Sequence, residues 1–121
     1  MSAVTLLTIA VLGGVGAVGR FLVDGMIAGR LGRELPFGTL VVNLSGTLAL
    51  GILVGAAVSD DALRLAGTGL LGSYTTFSTW ALESHRLGED GERAAGVLNF
   101  AVSLVLGVAV AWVAQEIGAA L

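Results

Sequence analysis

"GSYTTFSTW", residues 72–80, packs six hydroxyl side chains and no charge into nine residues, inside a stretch from Leu63 to Leu82 that otherwise reads as apolar. Hydroxyls in such a run need internal partners if the run lies in hydrocarbon, because no water is there to serve their donors and acceptors. The rest of the chain answers whether it does. Of 121 residues 55% are hydrophobic, mean hydropathy is +0.93 and there is one Pro. A soluble domain of this length could not bury that much apolar surface, so the chain is an integral membrane protein.

A helix crosses a bilayer with about 20 mostly apolar residues, since ~30 Å of hydrocarbon is matched by a rise of ~1.5 Å per residue. Four such stretches are expected, at about 4–27, 39–58, 63–82 and 94–117. The joints between them, "AGRLGRELPF", "SDDA" and "ESHRLGEDGER", are short and polar and leave no room for a soluble domain. Residues 1–121 thus read as one all-α, multi-pass unit of four transmembrane helices. The opening "MSAVTLLTIAVLGG" has no basic n-region and stays apolar beyond a signal peptide's core, so it reads as a retained helix. With no Cys, disulfides and thiolate metal sites are excluded. The net charge of −3 reads as solvated loops, with Asp60, Asp61, Glu89, Asp90 and Glu92 exposed.

Two signals for soluble chemistry fail on context. "GVGAVG", Gly14 to Gly19, fits a dinucleotide-binding pattern, but a Pro joint and another long span follow it where a strand is needed. These glycines, like Gly51 and Gly55 in "GILVG", read instead as surfaces for close helix packing. His85, the one His, has no second His or Cys with which to build a metal site or a triad. No enzyme is expected, and no nucleic-acid partner.

Polar residues at membrane depth carry the functional signal. Thr39, Asn43 and Thr47 recur at i, i+4 and i+8, and so do Asn99, Ser103 and Gly107, which puts an uncharged stripe on one face of the second and fourth spans. On the third, Gly67 and Gly69 precede the hydroxyl-rich run, and the helix is expected to break mid-membrane, exposing carbonyls of the kind that coordinate cations in transporters. Phe77 and Trp80, at i and i+3, would share one side of the resumed helix. Two stripes and a broken helix favour a lined pathway over simple interhelical adhesion.

"GGVGAVGR" ending in Arg20, "FGTLVVNLSGTLALG" on the second span and "GSYTTFST" on the third, taken in this order, resemble the Fluc, or CrcB, family of fluoride channels. The resemblance covers all four spans. It implies an antiparallel, dual-topology dimer in the cell membrane that lets fluoride leave the cell passively, with two pores and a structural, untransported Na⁺ on the two-fold axis. It further implies that the carbonyls of Gly72 and Thr75 hold that Na⁺ and that Asn43 is a pore-facing amide donor. Phe77 and Trp80 would form the aromatic pair, Ser78 and Thr79 part of a hydroxyl track, and Ser103 its fourth-span contact. Thr39, Thr47, Asn99 and Arg20 are further pathway candidates, Arg20 either attracting anions near a pore mouth or reaching for the interface. The residue types suit fluoride, a small and strongly hydrated anion, because amides, hydroxyls and aromatic edges replace its water without trapping it as a cation would.

Three positions depart from the family pattern: Trp80 stands where Phe is usual, Asn99 where Tyr is usual and Gly107 where Ser is frequent. Four spans would put Arg30, Arg33, Arg86 and Arg93 on one side and Arg64 with the termini on the other. By the positive-inside rule the side with four Arg is cytoplasmic. This bias and the three departures point to a dimer with a homologous, oppositely oriented subunit, a homodimer being the alternative. Two rival functions remain. A small multidrug-type, proton-coupled transporter would need a membrane-embedded acid in the first span, where none precedes Asp24. A noncatalytic membrane assembly subunit would use the polar stripes for packing alone.

Overall fold

The computed structural model describes Met1–Leu121 and is built of helices without strands. Helix α1 (Ala3–Leu31) is capped by Ser2, whose Oγ accepts from the Thr5 amide at 3.1 Å. It ends at Gly32, whose φ of +78° an L side chain rarely adopts. Helix α2 (Phe37–Gly55) starts directly after Pro36, and Ser59 caps the short α3 (Asp60–Ala62) through the Ala62 amide. The chain then widens into a nine-residue π-helix, π1 (Leu63–Leu71), and passes through one α-turn, α4 (Gly72–Tyr74). After an interruption at residues 75–77 come α5 (Ser78–Glu89) and α6 (Arg93–Ala119).

Three helices, α1, α2 and α6, are long and apolar enough to cross a membrane. The fourth expected crossing, 63–82, is not one helix of that kind but is divided among π1, α4, the interruption and the first turns of α5. Helix ends also depart from the apolar boundaries that sequence marks, most of them running past. Helix α1 continues to Leu31, α2 starts at Phe37 and stops at Gly55, and most of the expected joint "ESHRLGEDGER" is the end of α5. The reason is physical: hydropathy marks what leaves water, whereas backbone hydrogen bonds continue into polar turns, here with His85 and Glu89 paired at i, i+4.

Packing is inside-out compared with a soluble protein. Val42 and Ala114 are the buried apolar residues, while Val11, Phe21, Val97, Val105 and Trp112 are each exposed by more than half. Outward apolar faces are what lipid or another subunit covers, so the fold is held by close backbone approach rather than by a large core. Helix α2 packs chiefly on α6 and α1 on π1. At the first contact Gly51 meets Ala114, and Gly55 and Gly118 lie against the backbone carbonyls of Gln115 and Ile52. At the second, a Cβ on Gly16 would run into the Leu70 carbonyl and the Tyr74 amide, backbone atoms that cannot turn aside. Gly14 has nothing within 4 Å, whereas a Cβ on Gly13 would press on the Ser73 hydroxyl, so the glycines of α1 range from one blocked by backbone to one with room. Gly16→Ala is therefore expected to lower the thermal unfolding midpoint through an overpacking cost of about 1–3 kcal/mol. Gly14→Ala is the matched control, and an unchanged midpoint for Gly16→Ala would contradict the α1–π1 contact.

Candidate functional site

The break after α4 has a definite hydrogen-bond pattern. Thr75 is extended, with φ −79° and ψ 159°, so the α-helical ladder stops there. In an uninterrupted helix the Thr76 amide would donate to the Gly72 carbonyl and the Thr79 amide to the Thr75 carbonyl. Here the Thr76 amide donates to Asn43 Oδ1 at 2.8 Å and the Thr79 amide to Thr76 Oγ1 at 3.1 Å. Asn43 Nδ2 in turn donates to the Thr76 carbonyl at 2.8 Å, so one side chain on α2 grips both backbone groups of a residue that is 9% exposed. Thr75 keeps its hydroxyl on the Leu71 carbonyl at 3.0 Å. Asparagine can do this because its carboxamide presents a donor and an acceptor side by side, as a peptide does, and it has a second N–H left over.

A cleft of about 400 Å³ opens beside the break and gathers residues from α2, the interruption, α5 and α6. Thr39, Asn43 and Thr47 line it from α2, Phe77 and Trp80 from the third segment, and Asn99, Ser103 and Gly107 from α6. Both polar stripes thus face the same space, and the lining carries no charged residue. Phe77 and Trp80 meet edge to face, with centroids 5.3 Å apart and planes at 88°, and Trp80 stacks on Phe100 at 4.4 Å.

The remaining candidates divide between the cleft and its surroundings. Ser78 and Thr79 do not line the cleft; their hydroxyls cluster with that of Thr76, at 3.3 and 3.1 Å. Arg20 lies half-buried on α1, also outside the cleft. Gly72 is exposed at the surface of the subunit and outside the cleft, whereas Thr75 is partly exposed and lines the cleft from the interruption. Thr39 donates its hydroxyl to the Glu83 carboxylate, which sits in a polar pocket with Asp24, Arg33 and Arg86. Sequence reasoning missed Thr76, Glu83 and Ser84. Thr76 was hidden within its own hydroxyl run, Glu83 looked like a loop residue at the edge of a span, and Ser84 gains meaning only once α6 is packed beside it.

Residues 7–115 match the family described as "CrcB-like protein, Camphor Resistance (CrcB)". The chain is 51% identical, over 95% of its length and 99% of the relative's, to the "Fluoride-specific ion channel FluC 2" of Mycobacterium tuberculosis. To the protein of the same name from Mycolicibacterium paratuberculosis it is 54% identical over 90% of this chain and 89% of the relative. It is also 42% identical to the "Fluoride-specific ion channel FluC 1" of Symbiobacterium thermophilum, over 91% and 94%. With a family match across nearly the whole sequence and relatives this similar over their full length, the chain belongs to the CrcB family.

Proposed function

We propose that this chain is a subunit of a fluoride-specific channel that lets fluoride leave the cell passively across the cell membrane. The observation that carries the reading is the cleft, in which Asn43, Phe77, Trp80, Asn99 and Ser103 converge without a charged residue. Fluoride sheds water only where other donors replace it, and a neutral lining offers donors without a cation deep enough to hold the ion. The relatives' names point the same way. Against the multidrug reading, Asp24 is the one acid of α1 and lies outside the cleft, 3.6 Å from Arg33 near the end of its helix.

The working unit in this reading is an antiparallel dimer of subunits that each cross the membrane four times, the third crossing broken near mid-membrane at residues 75–77. Its partner is a second copy or a homologous subunit of opposite orientation. A Na⁺ on the two-fold axis would be held by the carbonyls of Gly72 and Thr75 from both subunits. The residues suit that ion: these two carbonyls are the ones whose helical amide donors turn to Asn43 and to Thr76 instead. When bound, the ion would fix the break by charge–dipole attraction and take no part in transport.

The test is fluoride efflux from liposomes containing the pure chain, with chloride efflux measured beside it. Fluoride flux with strong exclusion of chloride is expected, and equal flux of both would refute the reading. A proton-coupled antiport signal would favour the multidrug transporter, and an assembled dimer without any flux the assembly subunit. A C-terminal tag labelled equally from both sides of the cell membrane, with full flux from this chain alone, would exclude an obligatory second subunit.

A further inference from the structure

We propose that the Asn99 and Ser84 side chains form a latch that holds α6 on α5 and so keeps the main-chain carbonyl of Asn99 where the Trp80 indole meets it, making Asn99 a positioning residue of the pathway rather than a ligand of the ion; the inference rests on the fluoride-channel reading above. Three hydrogen bonds close a circuit between α5 and α6. The Trp80 indole N–H donates to the main-chain carbonyl of Asn99 at 3.4 Å, Asn99 Nδ2 donates to Ser84 Oγ at 2.8 Å, and Ser84 Oγ donates to the main-chain carbonyl of Trp80 at 2.9 Å. The proton inventory is consistent, since the one hydroxyl hydrogen of Ser84 goes to Trp80 while its lone pair receives Asn99.

The Asn99 and Ser84 side chains supply the one bond between side chains of the two helices, and it sets the height at which the main-chain carbonyl of Asn99 meets the indole. Trp80 and Ser84 stand at i, i+4 on α5, so one residue of α6 reaches both. A phenyl ring at position 80 would have no donor for the Asn99 carbonyl. Position 100 supplies the stacking partner, Phe100, with its plane at 13° to the indole. The indole is thereby held at its nitrogen and on one face, and it meets Phe77 at 88°. One N–H of the Asn99 amide is committed to Ser84 and a second is left over, so the side chain bonds to α5 while the ring it helps to place lines the cleft. Asn99 therefore acts on the ion through Trp80, whose ring forms part of the cleft wall shared with Asn43 and Ser103.

The experiment uses the full chain in a Trp112→Phe background, which leaves Trp80 as the one indole. Trp112 is two-thirds exposed on α6 and does not line the cleft. Acrylamide quenching of Trp80 and fluoride efflux are measured for Asn99→Ala, Ser84→Ala, their double variant and Ser84→Thr. Each single alanine is expected to raise quenching about threefold and slow efflux about tenfold, with the double variant no worse than either. Ser84→Thr keeps the hydroxyl and should match the parent in both. Unchanged quenching in the alanine variants overturns the latch, and so do losses that multiply in the double variant. A slow Asn99→Ala beside a normal Ser84→Ala would make Asn99 an ion ligand and overturn it too. Ser84→Ala removes one oxygen and serves if Asn99→Ala does not fold. If the parent conducts no fluoride either alone or reconstituted with a homologous subunit of opposite orientation, the channel reading fails, while the quenching comparison still decides whether the latch exists.

Discussion

Asn43→Ala is expected to cut fluoride efflux by about 100-fold and to lower thermal stability as well, a double effect that Phe77→Ala should not share. Asn43 holds the Thr76 amide and carbonyl together. Alanine would leave both groups of a 9% exposed residue unpaired. Each buried group so stranded costs about 1–3 kcal/mol, and every 1.4 kcal/mol is a factor of ~10. The chain has one way to recover part of that loss. The Thr76 amide can return to the Gly72 carbonyl and heal the helix, which would close the break and remove an uncapped carbonyl together with a donor of the cleft. Phe77 is 68% exposed in the subunit, so its removal takes away little packing within the fold. Its loss should slow efflux strongly at an almost unchanged melting temperature. Reading Asn43 solely as a donor to the ion predicts intact stability for both variants; the grip on Thr76 makes the two separable. Efflux from Asn43→Ala vesicles within a few-fold of the parent would refute the role of the clamp, and an unshifted melting temperature would refute its structural half.

That distinction also marks how far sequence reading reaches. The spacing of Thr39, Asn43 and Thr47, and of Asn99, Ser103 and Gly107, is fixed by the helical period, so both stripes and their shared cleft were legible from one dimension. Gly51 and Gly55 were legible for a similar reason, because small residues one turn apart admit a neighbouring backbone wherever they occur. What was not legible depends on distances between elements. Nothing local shows that both functions of the Asn43 carboxamide fall on Thr76, which is 33 residues away. Nor does composition separate Gly16, pressed on the Leu70 carbonyl, from Gly14, which faces open space, since both lie in the same "GGVGAVG". The nine-residue π-helix escaped too: its side chains, "LRLAGTGLL", fit an α-helix equally well, and the segment packs chiefly against α1, which no local spacing shows. Asn99, read as a departure from a family pattern, takes its meaning from Ser84 and Trp80, which no alignment of letters brings together.

Replacing Na⁺ with a large organic cation is expected to silence the channel, with efflux falling at least about tenfold, and to lower the melting temperature at the same time. Two diverted amides set up this dependence. Because Thr76 and Thr79 donate to side-chain oxygens, the carbonyls of Gly72 and Thr75 do not receive those hydrogens. A carbonyl left without a donor carries its full dipole, and such a group shielded from water costs ~1–3 kcal/mol unless a cation or a donor reaches it. Gly72 lies at the surface of the subunit, where a second, antiparallel subunit would bring its own pair of oxygens into the same space. Four convergent carbonyls repel one another without an ion between them and bind a small bare cation with it, whereas a bulky organic cation cannot enter. Any ion bound to the assembled state alone stabilises it in proportion to RT ln(1 + [L]/Kd), so the melting temperature should climb with Na⁺ concentration in parallel with activity. Thr75→Ser supplies the control. It keeps the carbonyl and a hydroxyl able to donate to Leu71, losing only a methyl that lies against Gly46, so its efflux and Na⁺ dependence should stay close to those of the parent. Full activity in Na⁺-free buffer, with a melting temperature indifferent to the cation, would remove the ion from this site. The break would then rest on Asn43 alone.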